Sequence, residues 1–195
     1  MLYEVFGIKI KVWYNFCIGE MMSSFYSEIY KLKNILRKGW LLWGASDAST
    51  GRVESDAEHT LSMALLAMEI MAKKKLDLDE LKVYKMILIH ELCEIDPGDH
   101  TPYDGITPSE KQRLEDECIK RIAEEHDMPE ILELWTEFKE YSTPEAIFVK
   151  KLDKVDTVAQ SKIYADQIKN EDLFNEFYIN HKEKVSGFDE FIDSI

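Results

Sequence analysis

Basic residues, cysteine, glycine and proline are all scarce in this chain of 195 residues. Lys and Arg number 24 against 38 Asp and Glu, a formal charge of −14, which speaks against a partner that is a nucleic acid polymer or another polyanion. The three cysteines, Cys17, Cys93 and Cys118, are odd in number and scattered, with no CxxC pair. A disulfide framework and a cysteine-based zinc site are therefore not expected, and a reducing, cytoplasmic setting is. The five prolines all fall between Pro97 and Pro144, and no Gly/Ser-rich tract or internal repeat divides the chain. No apolar run approaches the roughly 18 residues needed to cross a bilayer, so no membrane partner is expected.

What is present is ordinary for one globular unit: 45% apolar and 32% charged residues, at a length that buries roughly 70% of the unfolded surface. The alternating run Ile8-Lys9-Ile10-Lys11-Val12-Trp13-Tyr14 suits a short strand. Residues 1–21 read as an N-terminal arm or extension, and residues 22–195 as one domain.

Helix starts are explicit. Ser55-Asp56-Ala57-Glu58, Asp77-Leu78-Asp79-Glu80 and Thr107-Pro108-Ser109-Glu110 each set a capping residue three places before an acid, and Thr143-Pro144 adds a cap with Pro at the first helical position. With Ser23 to Lys38 before them and Glu171 to Ile195 after, the expectation is an all-α bundle of about six or seven helices.

Five histidines restrict the chemistry, so a His-based metal site must also recruit carboxylates. His126 and His181 lie in hydrophilic helix ends and read as solvated surface residues. His59 lies in the first turn of an otherwise apolar helix, where a lone His is more often structural than a ligand. The segment Met86-Ile87-Leu88-Ile89-His90-Glu91-Leu92-Cys93-Glu94 ends a buried apolar helix with three ligand-type groups, His90 and Glu94 sharing a face if the helix continues. Burying them calls for a cation or a compensating network, unless the helix end is simply solvated. The zincin pattern HExxH is excluded because its fifth position here is Glu94. Asp153 sits inside an apolar-periodic helix with Lys150, Lys151 and Lys154 nearby. Alone, that is a generic amphipathic helix. The acidic run Glu115-Asp116-Glu117 reads as a solvated face.

Taken together, His59, then His90-Glu91, then Asp153 resemble the H…HD…D signature of the HD-domain metal-dependent phosphohydrolases. The further segments Arg37-Lys38-Gly39-Trp40, Glu54 to His59, Gly98-Asp99, Glu133-Leu134-Trp135-Thr136-Glu137-Phe138 and Glu145 to Lys154 are similar in order and spacing to the 5'-deoxynucleotidase branch. The resemblance runs from about Met22 to near Ile195.

It implies a homodimeric enzyme that removes the 5'-phosphate from deoxynucleoside monophosphates. His59, His90, Glu91 and Asp153 fall on metal-ligand positions, and Glu94 on the acid that assists the nucleophile as general acid/base. Asp99 falls on a position facing the sugar, with a part in metal binding as the alternative, Arg37 on a phosphate contact and Trp40 on a base or sugar contact. Arg52 competes for the phosphate role, and an exposed Arg37 with a core Trp40 is the plainer alternative. Glu91 departs from the family's usual Asp, and its oxygen reaches about 1.5 Å further. Two imidazoles with two carboxylates favour Mn²⁺, Co²⁺ or Fe²⁺, with Mg²⁺ or Zn²⁺ also compatible. Alternatives in the same frame are hydrolysis of another small phosphoester, such as a cyclic nucleotide or nucleoside triphosphate, and a non-catalytic metal- or nucleotide-binding protein. The aromatic segment Leu173 to Tyr178 either supplies a dimer contact or packs on its own core.

Overall fold

The computed structural model describes residues 2–5, 8–11 and 18–193, with side chains at 25–188 and 190–192. Two short strands, β1 (Leu2–Val5) and β2 (Ile8–Lys11), pair antiparallel with Leu2 opposite Lys11. The strand expected from the alternating run thus covers Ile8–Lys11, while Val12, Trp13 and Tyr14 lie outside the described residues.

The other regular elements are helices: α1 (Ile18–Leu32), α2 (Lys38–Leu42), α3 (Asp56–Lys74), α4 (Glu80–Ile89), α5 (Pro108–Glu125), α6 (Pro129–Glu140), α7 (Pro144–Ile168), α8 (Glu171–Val185) and α9 (Asp189–Asp193). The all-α class holds, but among the described residues there are nine helices rather than six or seven. Three are additional. Helix α2 has only five residues, and α6 begins at Pro129 after Met128, whose side chain makes no cap. The expected helix from Glu171 onward breaks at Gly187, where φ is +90°, so that α9 is separate.

The other starts follow their caps. Ser55 and Glu58 form a full capping box on α3, and Thr107 and Thr143 cap α5 and α7; on α4 the cap is Asp79, which accepts from the Lys82 N–H, and not Asp77, so that helix starts two residues later than the spacing to Glu80 suggested. Long and apolar on several sides, α7 forms the axis; α3, α4, α6, α8 and α9 pack around it. Met63, Ile70, Met86, Ile87, Ile119, Ile122 and Leu152 are wholly buried between these helices, each contributing about 1.5–3 kcal/mol of transfer free energy. A second cluster of Trp40, Ala45, Val53, Tyr164, Ala165 and Leu173 anchors α2 to α7 and α8. No described helix is long and apolar enough to cross a membrane.

Candidate active site

Three segments converge on one point. The chain before α2 is stitched to the chain before α3: Leu36 bridges Ser55, the Arg37 N–H donates to the Glu54 carbonyl at 3.0 Å, and the Asp56 N–H donates to that of Ile35 at 3.0 Å. This sets Arg37 beside His59, one turn into α3. Helix α4 stops at Ile89, and Leu92–Glu94 continues as a 3-10 turn, so His90 and Glu94 do not share one α-helical face as the sequence suggested. The tightening precedes Pro97 and Gly98, whose φ of +79° turns the chain back so that its N–H donates to the Glu94 carbonyl at 2.7 Å. From the middle of α7 come Asp153 and Asp156, both buried.

The two imidazoles are oriented in the same way. The Nδ1–H of His59 donates to Asp156 Oδ2 at 2.7 Å, and that of His90 donates to the Ile87 carbonyl at 2.6 Å. A carboxylate and a carbonyl only accept, so in its neutral form each ring keeps its lone pair on Nε2. Both Nε2 atoms are buried and have no hydrogen-bond partner. His59 Nε2 lies 3.5 Å from Glu91 Oε1 and 3.4 Å from Asp153 Oδ1, and His90 Nε2 lies 3.3 Å from Glu91 Oε1. Two convergent unpaired imidazole nitrogens facing two carboxylates are a donor set that fits a divalent metal ion.

The electrostatics have the same sense. Arg37 is shared among Glu91, Glu54 and Asp56 at 2.8, 3.7 and 3.9 Å, leaving a surplus of buried negative charge. Burial alone would raise Asp153, but Lys154 at 2.8 Å and His59 hold its carboxyl well below the usual range. Burial and Arg37 push His59 down, yet with no metal ion bound Asp153 and Asp156 outweigh them and bring it up to about 9, so a metal ion binding at Nε2 would displace a proton. Burial first, then the charge of Glu91, pushes Glu94 up to about 9 and Asp56 up to about 8.

Glu94 lies in the same cavity, about 290 Å³, as His90, Glu91 and Asp153. Its Oε1 is 3.2 Å from Lys111 Nζ, while Oε2 is buried without a partner. Asp99 also lines this cavity, and its Oδ2 accepts from the Lys38 N–H at 2.6 Å. Trp40 is a core residue that donates to Glu54 at 2.9 Å and packs against Phe177, yet it also lines a second cavity of about 470 Å³. Both cavities are lined by Arg37, Asp99, His100 and Lys154, so they adjoin there. Arg52 lies apart, bound through both terminal nitrogens to Glu58.

A family model, HD domain, matches residues 29–191. The chain belongs to the HD domain family. It is 34% identical to the 5'-deoxynucleotidase HDDC2 of Dictyostelium discoideum over 151 residues, 73% of this chain and 77% of that protein. To the human 5'-deoxynucleotidase HDDC2 it is 32% identical over 173 residues, 84% of this chain and 81% of that one. Among solved structures, that of the PH0347 protein from Pyrococcus horikoshii OT3 superposes with a TM-score of 0.70 at 26% identity, covering 87% of this chain and 95% of that one.

In this HD domain several site residues escaped the sequence reading. Asp156 looks like half of a surface ion pair in the run Asp153-Lys154-Val155-Asp156, and only its spacing of three from Asp153 on an apolar helix hinted at a shared buried face. Lys111 arrives from α5, with no local signal. His181 was expected in solvent, but it is half-buried, lines the larger cavity, and has a buried Nδ1 with no hydrogen-bond partner.

Proposed function

We propose that this HD domain protein is a metal-dependent phosphohydrolase that removes the 5'-phosphate from deoxynucleoside monophosphates. The observation that carries the reading is the pair of unpaired, convergent Nε2 atoms of His59 and His90 beside Glu91 and Asp153. The curated 5'-deoxynucleotidases that match most of this chain support the substrate class.

In this reading His59, His90, Glu91 and Asp153 hold the metal, with Mn²⁺, Co²⁺ or Fe²⁺ suiting the donors best and Mg²⁺ or Zn²⁺ compatible. A divalent ion bound there offsets phosphate charge and acidifies water. Arg37 and Lys154, which line both cavities, face the phosphate. Lys111 orients Glu94 through Oε1, so the unpartnered Oε2 is the atom that gives or takes a proton at the leaving sugar oxygen. Asp99 has Oδ1 left to accept from a sugar hydroxyl, and Trp40 borders the nucleoside.

The same reading makes residues 1–21 an extension to the domain 22–195, places the protein in the cytoplasm, and gives it a mononucleotide rather than a nucleic acid polymer as partner, in keeping with the charge of −14. It also makes the protein a homodimer. Phe174, Phe177 and Tyr178 pack inward, so the apolar stripe Leu61, Leu65 and Met68 on the outer face of α3 is the better contact surface. A mass measurement by light scattering tests the dimer.

The deciding experiment is a phosphate-release screen on metal-stripped protein, with each divalent metal restored in turn. Deoxy- and ribonucleoside monophosphates, a cyclic nucleotide and a nucleoside triphosphate are the substrates. Release confined to the last two, or none at all, overturns the proposal.

A further inference from the structure

The turn that follows α4 carries Glu94, and one side of α5 holds that turn at three levels. Lys111, Cys118 and Arg121 are spaced by seven and three residues, which brings them to the same side of the helix. Lys111 Nζ meets Glu94 Oε1 at 3.2 Å and donates to the His100 carbonyl at 2.9 Å, and the Cys118 thiol donates to the Leu92 carbonyl at 3.3 Å. Arg121 reaches Asp96, two residues beyond Glu94.

The Arg121 contact is the middle of a chain of ion pairs. Its Nε and Nη2 donate to the two oxygens of Asp96 at 2.6 and 2.9 Å, a fork that fixes direction as well as distance. Its Nη1 and Nη2 also donate to Glu28 of α1 at 3.3 and 3.2 Å. Glu28 is only 4% exposed, so Arg121 is pinned by a buried carboxylate, whereas Asp96 is exposed. Burial alone would raise the Asp96 carboxyl, but Arg121 holds it below the usual range. The chain of pairs thus has a fixed end at Glu28 and a carried end at Asp96, just before Pro97 and Gly98 turn the backbone. An isolated exposed pair contributes little. A forked pair anchored on a buried acid restrains the segment attached to it. Neither Asp96 nor Arg121 lines the cavity of the candidate metal centre.

We propose that Asp96 is a positioning residue for Glu94: clamped by Arg121 onto α1 and α5, it fixes the turn from which Glu94 enters the cavity. Lys111 does not suffice, because its flexible side chain is shared with Glu115 at 3.4 Å and restrains the Glu94 carboxylate without restraining the backbone that bears it. The inference rests on the hydrolase reading for the role of Glu94. Displacing a reacting group by about 1 Å costs up to about 10²-fold in rate.

Asp96→Ala removes the carried end and leaves the Arg121–Glu28 pair in place. Glu125→Gln is the control, since it removes a different exposed acid bonded to Arg121, at 2.8 Å. Phosphate release from a deoxynucleoside monophosphate and metal content are measured on both variants and wild type. Amide hydrogen exchange is followed in the segment 92–99, where the N–H groups of Glu94, Ile95 and Gly98 are bonded within the turn. Asp96→Ala is expected to lose roughly 10-fold or more in kcat, with KM and bound metal within about 2-fold of wild type. Exchange in the turn should quicken by about 3-fold or more, and Glu125→Gln should match wild type in every readout. Wild-type kcat in Asp96→Ala, an equal loss in both variants, or a loss explained by missing metal overturns the positioning role and leaves the hydrolase reading intact. If wild type releases no phosphate, the hydrolase reading fails; quicker exchange in Asp96→Ala alone then upholds the clamp, and unchanged exchange removes both.

Discussion

Asp156 accepts the Nδ1–H of His59 at 2.7 Å, and in doing so it fixes which nitrogen of that ring faces Glu91 and Asp153. A carboxylate behind a ligating imidazole both sets the tautomer and raises the basicity of the other nitrogen. Asp156→Asn keeps the shape and an acceptor oxygen but removes the charge. Its expected effect is a loss of roughly 10–100-fold in metal affinity, read by competition with a chromogenic chelator, with phosphate release restored by excess metal. Unchanged chelator competition would show that Asp156 serves only packing.

His59→Ala and Asp153→Ala each remove one donor from the four-residue set. Both variants should come through purification without stoichiometric metal and without phosphate release, because a lost donor weakens affinity and distorts the remaining positions. Elemental analysis decides the matter. Full occupancy in either variant would refute the ligand assignment.

The parts of the fold that the sequence showed are those governed by short-range rules. Ser55, Thr107 and Thr143 announce their helices because a capping side chain sits within three residues of the N–H it satisfies, whereas for α4 the segment was legible but its cap is Asp79 instead of Asp77. Helix α6 has no such side chain at Met128, and the break after α8 depends on one glycine, so neither was visible. The site divides similarly. His59, His90, Glu91, Glu94 and Asp153 were found as motif residues, and the structure gathers them in one place. Lys111, which holds Glu94 from a different helix, and His181, turned from a hydrophilic helix end into a cavity, depend on tertiary packing that no local pattern encodes. For Trp40 the two readings merge: it is a core residue with one edge on a cavity.

Asp56 offers a test through pH. It is wholly buried, neither carboxylate oxygen has a hydrogen-bond partner, and burial with the charge of Glu91 raises its carboxyl from 3.8 to about 8. Between those values the folded protein keeps a proton that the unfolded chain has released, so this residue makes stability fall as pH rises through the window. Asp56→Asn abolishes that contribution. In thermal melts with chelator present, the variant should gain on wild type between about pH 5 and about pH 8 by a few °C, since about 1 kcal/mol moves Tm by about 2–4 °C at this chain length. A difference that is the same at both ends means that Asp56 does not titrate in this range.

The two neighbouring acids separate ligation from proton transfer. Glu91 Oε1 lies within 3.5 Å of both Nε2 atoms and is paired with Arg37, whereas Glu94 faces Lys111 and leaves Oε2 without a partner. Glu94→Gln should therefore keep the metal and lose roughly 10²-fold or more in turnover, the usual scale for a general acid/base. Glu91→Gln should lose metal first, with activity following occupancy. Glu91→Asp restores the residue more usual in the family but draws the oxygen back by about 1.5 Å. Arg37 is bonded to the longer side chain at 2.8 Å, so this packing has adapted to Glu, and the Asp variant is expected to bind metal more weakly and to turn over more slowly. Metal content and phosphate release measured together on the three proteins distinguish the roles. Normal turnover in Glu94→Gln, or full metal in an inactive Glu91→Gln, would mean that the two glutamates exchange functions.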